Sequence, residues 1–219
     1  MENNIVNESY MYFSSLPLLE LIAVVSSLIY VVLAAKGNIW CWPAALLSTV
    51  IYTVIFYEVY LWMDSALQIY YMLMAFYGWY CWRNRNQVNK DLNDSQPDKI
   101  RIKQWHVQTH IKAIILLTIL SIIVGKLMAT YTPTHFPYFD AATTVFAVFS
   151  TYLVTQKVLE NWIYWIVIDF FSIYLYVQKE LTPTAVLFIL YVGLAAYGYF
   201  QWRKEYKLQP VNAANLSHS

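Results

Sequence analysis

Seven apolar stretches, each close to the length of a membrane-crossing helix, set what this chain can fold into. They occupy residues 16–36, 40–57, 60–82, 112–131, 138–156, 161–178 and 181–202. A helix rises about 1.5 Å per residue, so about 20 mostly apolar residues cross the ~30 Å of hydrocarbon in a bilayer. A water-soluble core could not absorb so much. Of the 219 residues 59% are hydrophobic and 12% charged, roughly half the charge share of an ordinary soluble domain. The expected fold is an all-α membrane protein with seven transmembrane helices. The opening MENNIVNESYMYFSS lacks the basic start and short apolar centre of a cleaved signal peptide, so the first stretch is expected to stay as a span.

Connections between spans are short except at 83–111, a polar segment that separates three spans from four. Twelve of the fourteen basic residues fall on one side of the membrane: Lys36, Arg83, Arg85, Lys90, Lys99, Arg101, Lys103, Lys112, Lys157, Arg203, Lys204 and Lys207. Only Lys126 and Lys179 fall on the other. Basic residues favour the cytoplasmic face, so the long loop and C-terminus are expected inside and the N-terminus outside. The expected layout is an outer tail at 1–15, a three-helix unit at 16–82 and a cytoplasmic loop at 83–111. A linker helix at 112–131, a second three-helix unit at 138–202 and a cytoplasmic tail at 203–219 follow. Trp40, Trp42, Trp79, Trp82 and Trp202 sit at span ends and read as an interfacial belt.

The chain repeats itself. YMLMAFYGWYCWRN from Tyr71 matches YVGLAAYGYFQWRK from Tyr191, with Tyr71, Ala75, Tyr77, Gly78, Trp82 and Arg83 recurring 120 residues on. At the same offset Glu20 meets Asp140 and Trp42 meets Trp162. Convergent use of aromatic, Gly, Trp and Arg at a cytoplasmic helix end is the competing account. An ungapped offset over the whole segment favours duplication, with one odd span between the copies making them parallel. Parallel repeats are a plan of solute transporters, with the site between halves near midplane.

Ionisable groups within spans are costly and mark cavities or partners. Span six carries Trp162, Trp165, Asp169, Ser172 and Tyr176 along one narrow stripe at helical spacing. Span three offers Asp64, Gln68 and Tyr71 on one face, and span two Ser48 and Tyr52. One reading is a binding wall: indole faces attract a cationic ring, and a carboxylate holds a positive charge or an amino group. The other is packing, with the tryptophans filling space, Asp169 bonded to another helix and Gln68 joining helices. Glu20 and Asp140, near the outer ends of their helices, read as gating or structural residues, and Glu160 as an interfacial charge.

Other chemistry finds little support. His106, His110, His135 and His218 lie outside the spans; HVQTH could place two of them on a metal, but a solvated loop helix explains it as well. No HExxH, Gly-rich phosphate loop or nucleophile elbow is present, so an enzyme, a metal and a cofactor are not expected. Span seven has no lysine for a retinal Schiff base before Lys204. Cys41 and Cys81 form no disulfide framework. The basic loop suits anionic lipid rather than nucleic acid. An intramembrane enzyme and a seven-helix sensor remain as rivals to a carrier.

LQIYYMLMAFYGWYCW, FPYFDAATTVF and ENWIYWIVID together resemble the Pnu family of bacterial vitamin transporters, from about Glu20 to Arg203. The resemblance implies two parallel three-helix bundles joined by a linker helix, a 3+1+3 plan like that of the SWEET sugar transporters, in the bacterial inner membrane. It implies facilitated diffusion of an unphosphorylated vitamin, a cytoplasmic kinase that traps it, and a homotrimer. The family's tryptophan pair falls on Trp162 and Trp165 and its membrane glutamine on Gln68. Where nicotinamide riboside carriers have asparagines, this chain has Ser48 and Asp169. That departure points to thiamine, as in the PnuT type, with nicotinamide riboside as the alternative and proton coupling, through Glu20, Asp140 and Asp169, as a mechanistic variant.

Overall fold

The computed structural model describes residues 2–58, 62–91, 101–132, 136–178 and 182–209. These residues form seven helices: α1 (Glu2–Ala35), α2 (Cys41–Glu58), α3 (Trp62–Asp91), α4 (Val107–Tyr131), α5 (Pro137–Thr155), α6 (Asn161–Gln178) and α7 (Thr182–Leu208). Each falls on one of the seven apolar stretches. Several run further. α1 begins at Glu2, inside the segment expected as a tail, while α3 and α7 continue to Asp91 and Leu208, past their apolar limits. Once a helix is nucleated each added residue costs little, so a polar extension keeps the helical form it could not start.

Neighbours follow chain order. α1 packs on α2 and α2 on α3; α5 packs on α6 and α6 on α7. α4 packs on α5, and the two groups meet where α1 touches α7 and α3 touches α5. At the offset of 120, α1 corresponds to α5 and α3 to α7, so the two meeting points are copies of one contact.

The corners are copies too. After α1, Gly37 takes the left-handed conformation (φ 67°). Its N–H donates to Ala34 O at 2.9 Å and the N–H of Asn38 to Leu33 O at 2.9 Å, a Schellman cap. After α5, Lys157 has φ 53°, with Lys157 N to Val154 O and Val158 N to Leu153 O both at 3.0 Å. A lysine thus occupies a conformation that glycine adopts at far lower cost.

The tryptophans expected at the interface form a core instead. Trp42, Trp82 and Trp202 are fully buried, whereas Trp40, at 62% exposure, keeps the interfacial role. Trp42 meets Trp82 edge-on at 5.2 Å, and Trp162 meets Trp202 edge-on at 5.3 Å. Trp82 and Trp202 touch at 6.4 Å. Each edge-on pair rests on a glycine: a Cβ on Gly78 would lie 2.3 Å from Trp42, and one on Gly198 2.7 Å from Trp162. The Trp82 indole donates to Thr155 O at 3.2 Å, and the Trp202 indole to Ala34 O at 3.0 Å. Both bonds cross between the two groups of helices. Lys157 closes the cluster, its ammonium 4.3 Å from the Trp82 ring and 5.5 Å from the Trp202 ring.

The end of the long loop is held as well. Lys103 pairs with the α5–α6 corner through Lys103 N to Lys157 O at 2.9 Å and Leu159 N to Lys103 O at 2.8 Å. Glu160, expected as an interfacial charge, accepts from Trp105 N at 3.3 Å and lies 3.6 Å from His110 Nε2. His110 Nδ1 is 3.0 Å from the Tyr164 hydroxyl. The solvated-helix reading of HVQTH therefore holds for the exposed His106 and fails for His110, which α6 covers.

Outward faces are apolar on every helix. Phe170 is 67% exposed, and α4 presents Ile115, Leu116, Ile119, Ile122 and Ile123. Surface of that size suits hydrocarbon rather than water. Among the described residues four helices, α1, α2, α4 and α7, are long and apolar enough to cross a membrane by length and composition. The other three dilute their apolar content with polar residues, and in α6 the chief of these, Asn161, Asp169 and Ser172, are buried.

Candidate functional site

The α6 stripe faces inward. Trp162 is 3% and Asp169 5% exposed, Ser172 is buried, and Trp165 and Tyr176 are half-buried, while Ile163, Val167, Phe170 and Val177 face out. Within this stripe the residues divide by what they touch. Trp162 belongs to the indole cluster, wedged between Gly198 and Trp202. Trp165 stands one turn further into the membrane, half-buried beside the packed residues of both groups of helices.

Hydrogen-bond accounting separates Asp169 and Ser172 from the rest. A buried polar side chain is nearly always bonded. Thr49, Ser121, Ser150, Thr151 and Thr155 donate to carbonyls of their own helices. Ser65 donates to Thr53 O and Asn161 to Val158 O. Among the described residues the hydroxyls of Ser26 and Ser172 and the carboxylate of Asp169 are buried without any such bond, and so are the indole N–H groups of Trp42 and Trp162 and the Asn161 Oδ1. An unpaired carboxylate in a low-dielectric interior is costly, which makes Asp169 the candidate site residue of the stripe.

The surroundings of Asp169 come from both groups. Tyr71 of α3 packs against the same buried cluster as Trp165, and Tyr191 of α7 is the tyrosine that the repeat equates with it. Gln68 is half-buried one turn from Tyr71 on α3. Tyr30 of α1 is in electrostatic reach of Tyr71, and Tyr52 of α2 in reach of Tyr191 and Glu20. Towards the outer end Tyr176 lies near Asp64 and Asp140, both of which have partners of their own.

Other residues expected at the site are engaged elsewhere. Ser48 donates to Ala23 O at 3.0 Å, so its hydroxyl ties α2 to α1. Tyr52 stacks on Phe56 at 5.4 Å. Glu20 and Asp64 are exposed. The sequence reading passed over Ser26, Ser27 and Tyr191. Ser27 and Tyr191 are hydrogen-bonded at 2.6 Å between α1 and α7. The signal was present for Tyr191, since its copy Tyr71 had been placed at the site.

Trp165, Asp169 and Ser172 thus lie on the inward face of α6 in a seven-helix protein with apolar outer faces, and the cavity lined by Thr118, Ser121, Ile122, Tyr138, Ala142 and Phe146, between α4 and α5, touches none of them. Among the described residues no group of three or more His, Cys, Asp and Glu could hold a metal.

Comparison with known proteins narrows the class to a family. The chain belongs to the nicotinamide mononucleotide transporter family, whose model matches residues 17–204. It is thus a multi-pass membrane transporter by family, not an enzyme. It is 20% identical over 201 residues to the nicotinamide riboside transporter PnuC of Escherichia coli (strain K12), covering 84% of each chain. It is 23% identical over 196 residues to a protein of the same name from Neisseria mucosa, covering 84% of this chain and 71% of that one. A riboflavin/roseoflavin transporter, RibM of Streptomyces davaonensis, is 22% identical over 184 residues, covering 84% of this chain and 83% of that one. The crystal structure of the vitamin B3 transporter PnuC superposes with a TM-score of 0.72 at 20% identity, over 94% of this chain and 88% of that chain.

Proposed function

We propose that this protein carries nicotinamide riboside across the bacterial inner membrane by facilitated diffusion. This replaces the expectation of thiamine. Two of the curated relatives described above are named for nicotinamide riboside and the third for riboflavin, and none of the three for thiamine. The chemistry that had favoured thiamine, a carboxylate for a cationic ring, serves the riboside equally, because its pyridinium is also a cation.

The observation that carries the reading is Asp169: a carboxylate 5% exposed on the inward stripe of α6, one turn from Trp165, with no hydrogen bond or ion pair among the described residues. The pyridinium would lie on Trp165, whose indole face attracts a cation. Asp169 would supply the counter-charge and a charge-assisted acceptor, and Gln68, Tyr71, Ser172 and Tyr176 would bond the amide and ribose. Riboflavin is neutral and makes no use of the carboxylate. The groups α1–α2–α3 and α5–α6–α7 would be the two halves of a 3+1+3 carrier, parallel copies that rock about the site, with α4 as the link. The basic bias of the connections supports an outer N-terminus and a cytoplasmic loop, where a kinase would trap the vitamin. Assembly as a homotrimer belongs to the same reading.

Calorimetric titration of the purified protein with nicotinamide riboside, thiamine and riboflavin is the test. Binding of the riboside alone is the expected result; binding of thiamine alone would overturn the assignment. Uptake by proteoliposomes, with and without a pH gradient, checks the mechanism. Riboside should equilibrate and stop, and accumulation driven by the gradient would replace diffusion with proton coupling.

A further inference from the structure

The bond between Ser27 and Tyr191 assigns a direction to its protons. A serine hydroxyl has one proton and two lone pairs. Ser27 donates that proton to Val24 O at 2.7 Å, on its own helix. In the 2.6 Å contact with Tyr191, Ser27 can then only accept, so Tyr191 donates. The phenol oxygen of Tyr191 is left as an acceptor, and its ring lies 5.7 Å from that of Phe188, which in turn lies 5.1 Å from Tyr176 of the α6 stripe.

The copy of this tyrosine differs. Tyr71 occupies the equivalent position on α3, packed against the same buried cluster as Trp165, but the residue equivalent to Ser27 is Ala147, which has no hydroxyl. Among the described residues Tyr71 makes no hydrogen bond, so its O–H remains free to donate. The duplicated tyrosines thus offer opposite faces: one a donor, one a fixed acceptor.

We infer that Tyr191, its proton held by Ser27, is a further specificity-determining residue of the transport site, presenting an acceptor for an N–H or O–H group of a cationic ligand. The inference rests on the reading of the site given above. It identifies the ligand's chemistry: a cation with at least one donor on the side facing α7 and an acceptor on the side facing α3. An amide beside a pyridinium has both, and so does a ribose diol. Ser27 acts through Tyr191 and is a positioning residue.

The test compares binding of nicotinamide riboside by the wild type and by Tyr191→Phe, Ser27→Ala and Ser27→Thr. Tyr191→Phe and Ser27→Ala should each weaken binding about five- to tenfold, the scale of one hydrogen bond. Ser27→Thr keeps the hydroxyl and should stay within about twofold. Two analogues then locate the donor, one methylated at the amide nitrogen and one lacking a ribose hydroxyl. The analogue without the paired donor should bind the wild type more weakly and lose nothing more in Tyr191→Phe. Wild-type affinity in Tyr191→Phe would overturn the inference and leave the transport reading intact. Equal losses in Tyr191→Phe for the riboside and both analogues would also overturn it, since a packing defect is indifferent to the ligand's donors. Failure of the wild type to bind any of the three vitamins would remove the transport reading and this inference with it.

Discussion

The first and second halves of this chain share a scaffold and differ in what they put on it. The corners after α1 and α5 have the same hydrogen bonds, the glycines at 78 and 198 carry the same indole, and the Trp82 and Trp202 indoles reach across to opposite halves in the same way. The inward faces of α2 and α6 then diverge. Where α6 has Trp165, Asp169 and Ser172, α2 has Ala45, Thr49 and Tyr52, and Thr49 spends its hydroxyl on Ala45 O at 2.9 Å. The lesson is that duplication supplied the frame, while recognition is asymmetric. On the proposed function a ligand with one cationic ring would use one indole and one carboxylate, both from the second half, with the first half opposite.

The comparison breaks most visibly in the shared frame. Trp82→Ala or Trp202→Ala should each destabilise the protein by about 3–5 kcal/mol, as for large buried aromatics. The two losses should be alike, because the two indoles have equivalent surroundings. Thermal unfolding in detergent is the check, and a large loss in one with tolerance in the other would show that the halves are not equivalent. Gly78→Ala and Gly198→Ala should follow at about 1–3 kcal/mol each, since the added Cβ meets a buried indole that has no room to retreat.

In the divergent faces the effects should move to binding. Asp169→Ala should cost about 1.5–3 kcal/mol of riboside affinity, the worth of a charged hydrogen bond, without loss of stability, because the carboxylate has no protein partner to abandon. Trp165→Ala should cost on the order of 1–2 kcal/mol, about tenfold. Thr49→Ala, at the position in α2 that matches Asp169, should leave affinity unchanged. Equal effects at Thr49 and Asp169 would mean that the ligand lies on the pseudo-axis and uses both halves alike.

Much of this was legible in the residues. The length of the apolar stretches placed all seven helices, and for α6 it placed both ends, Asn161 and Gln178. The stripe on α6 was readable because period and polarity coincide there. The role of Trp162 was not. A tryptophan at the end of a span suits an interface, a binding wall and a core equally, and only the glycine it rests on, 36 positions along the chain, separates them. Ser27 and Tyr191 stand 164 residues apart, and neither is unusual in its own helix. The bond from Ser48 to Ala23 O was hidden for the same reason: a hydroxyl shows its type in sequence but not which carbonyl it has found. Lys157 counted correctly as a charge on the basic side, with no hint that it would be buried.

That lysine gives the finest test of the comparison. Gly37 and Lys157 are copies of one corner, and they touch: Lys157 Nζ lies 3.5 Å from Gly37 O, and a Cβ on Gly37 would come within 2.9 Å of it. A side chain at Gly37 would therefore have to push the tip of Lys157 aside. Gly37→Ala should cost about 1–2 kcal/mol from its backbone alone, plus the displacement of the ammonium. Lys157→Gly relieves a similar backbone cost but forfeits the indole contacts, worth about 2 kcal/mol when desolvated, so its net effect should be small. In the double variant the clash vanishes, and Gly37→Ala should cost about 0.5–1 kcal/mol less than it does beside the lysine. Strict additivity would mean that the two corners, though adjacent, are held independently, and that the asymmetry of the halves stops short of this end of the bundle.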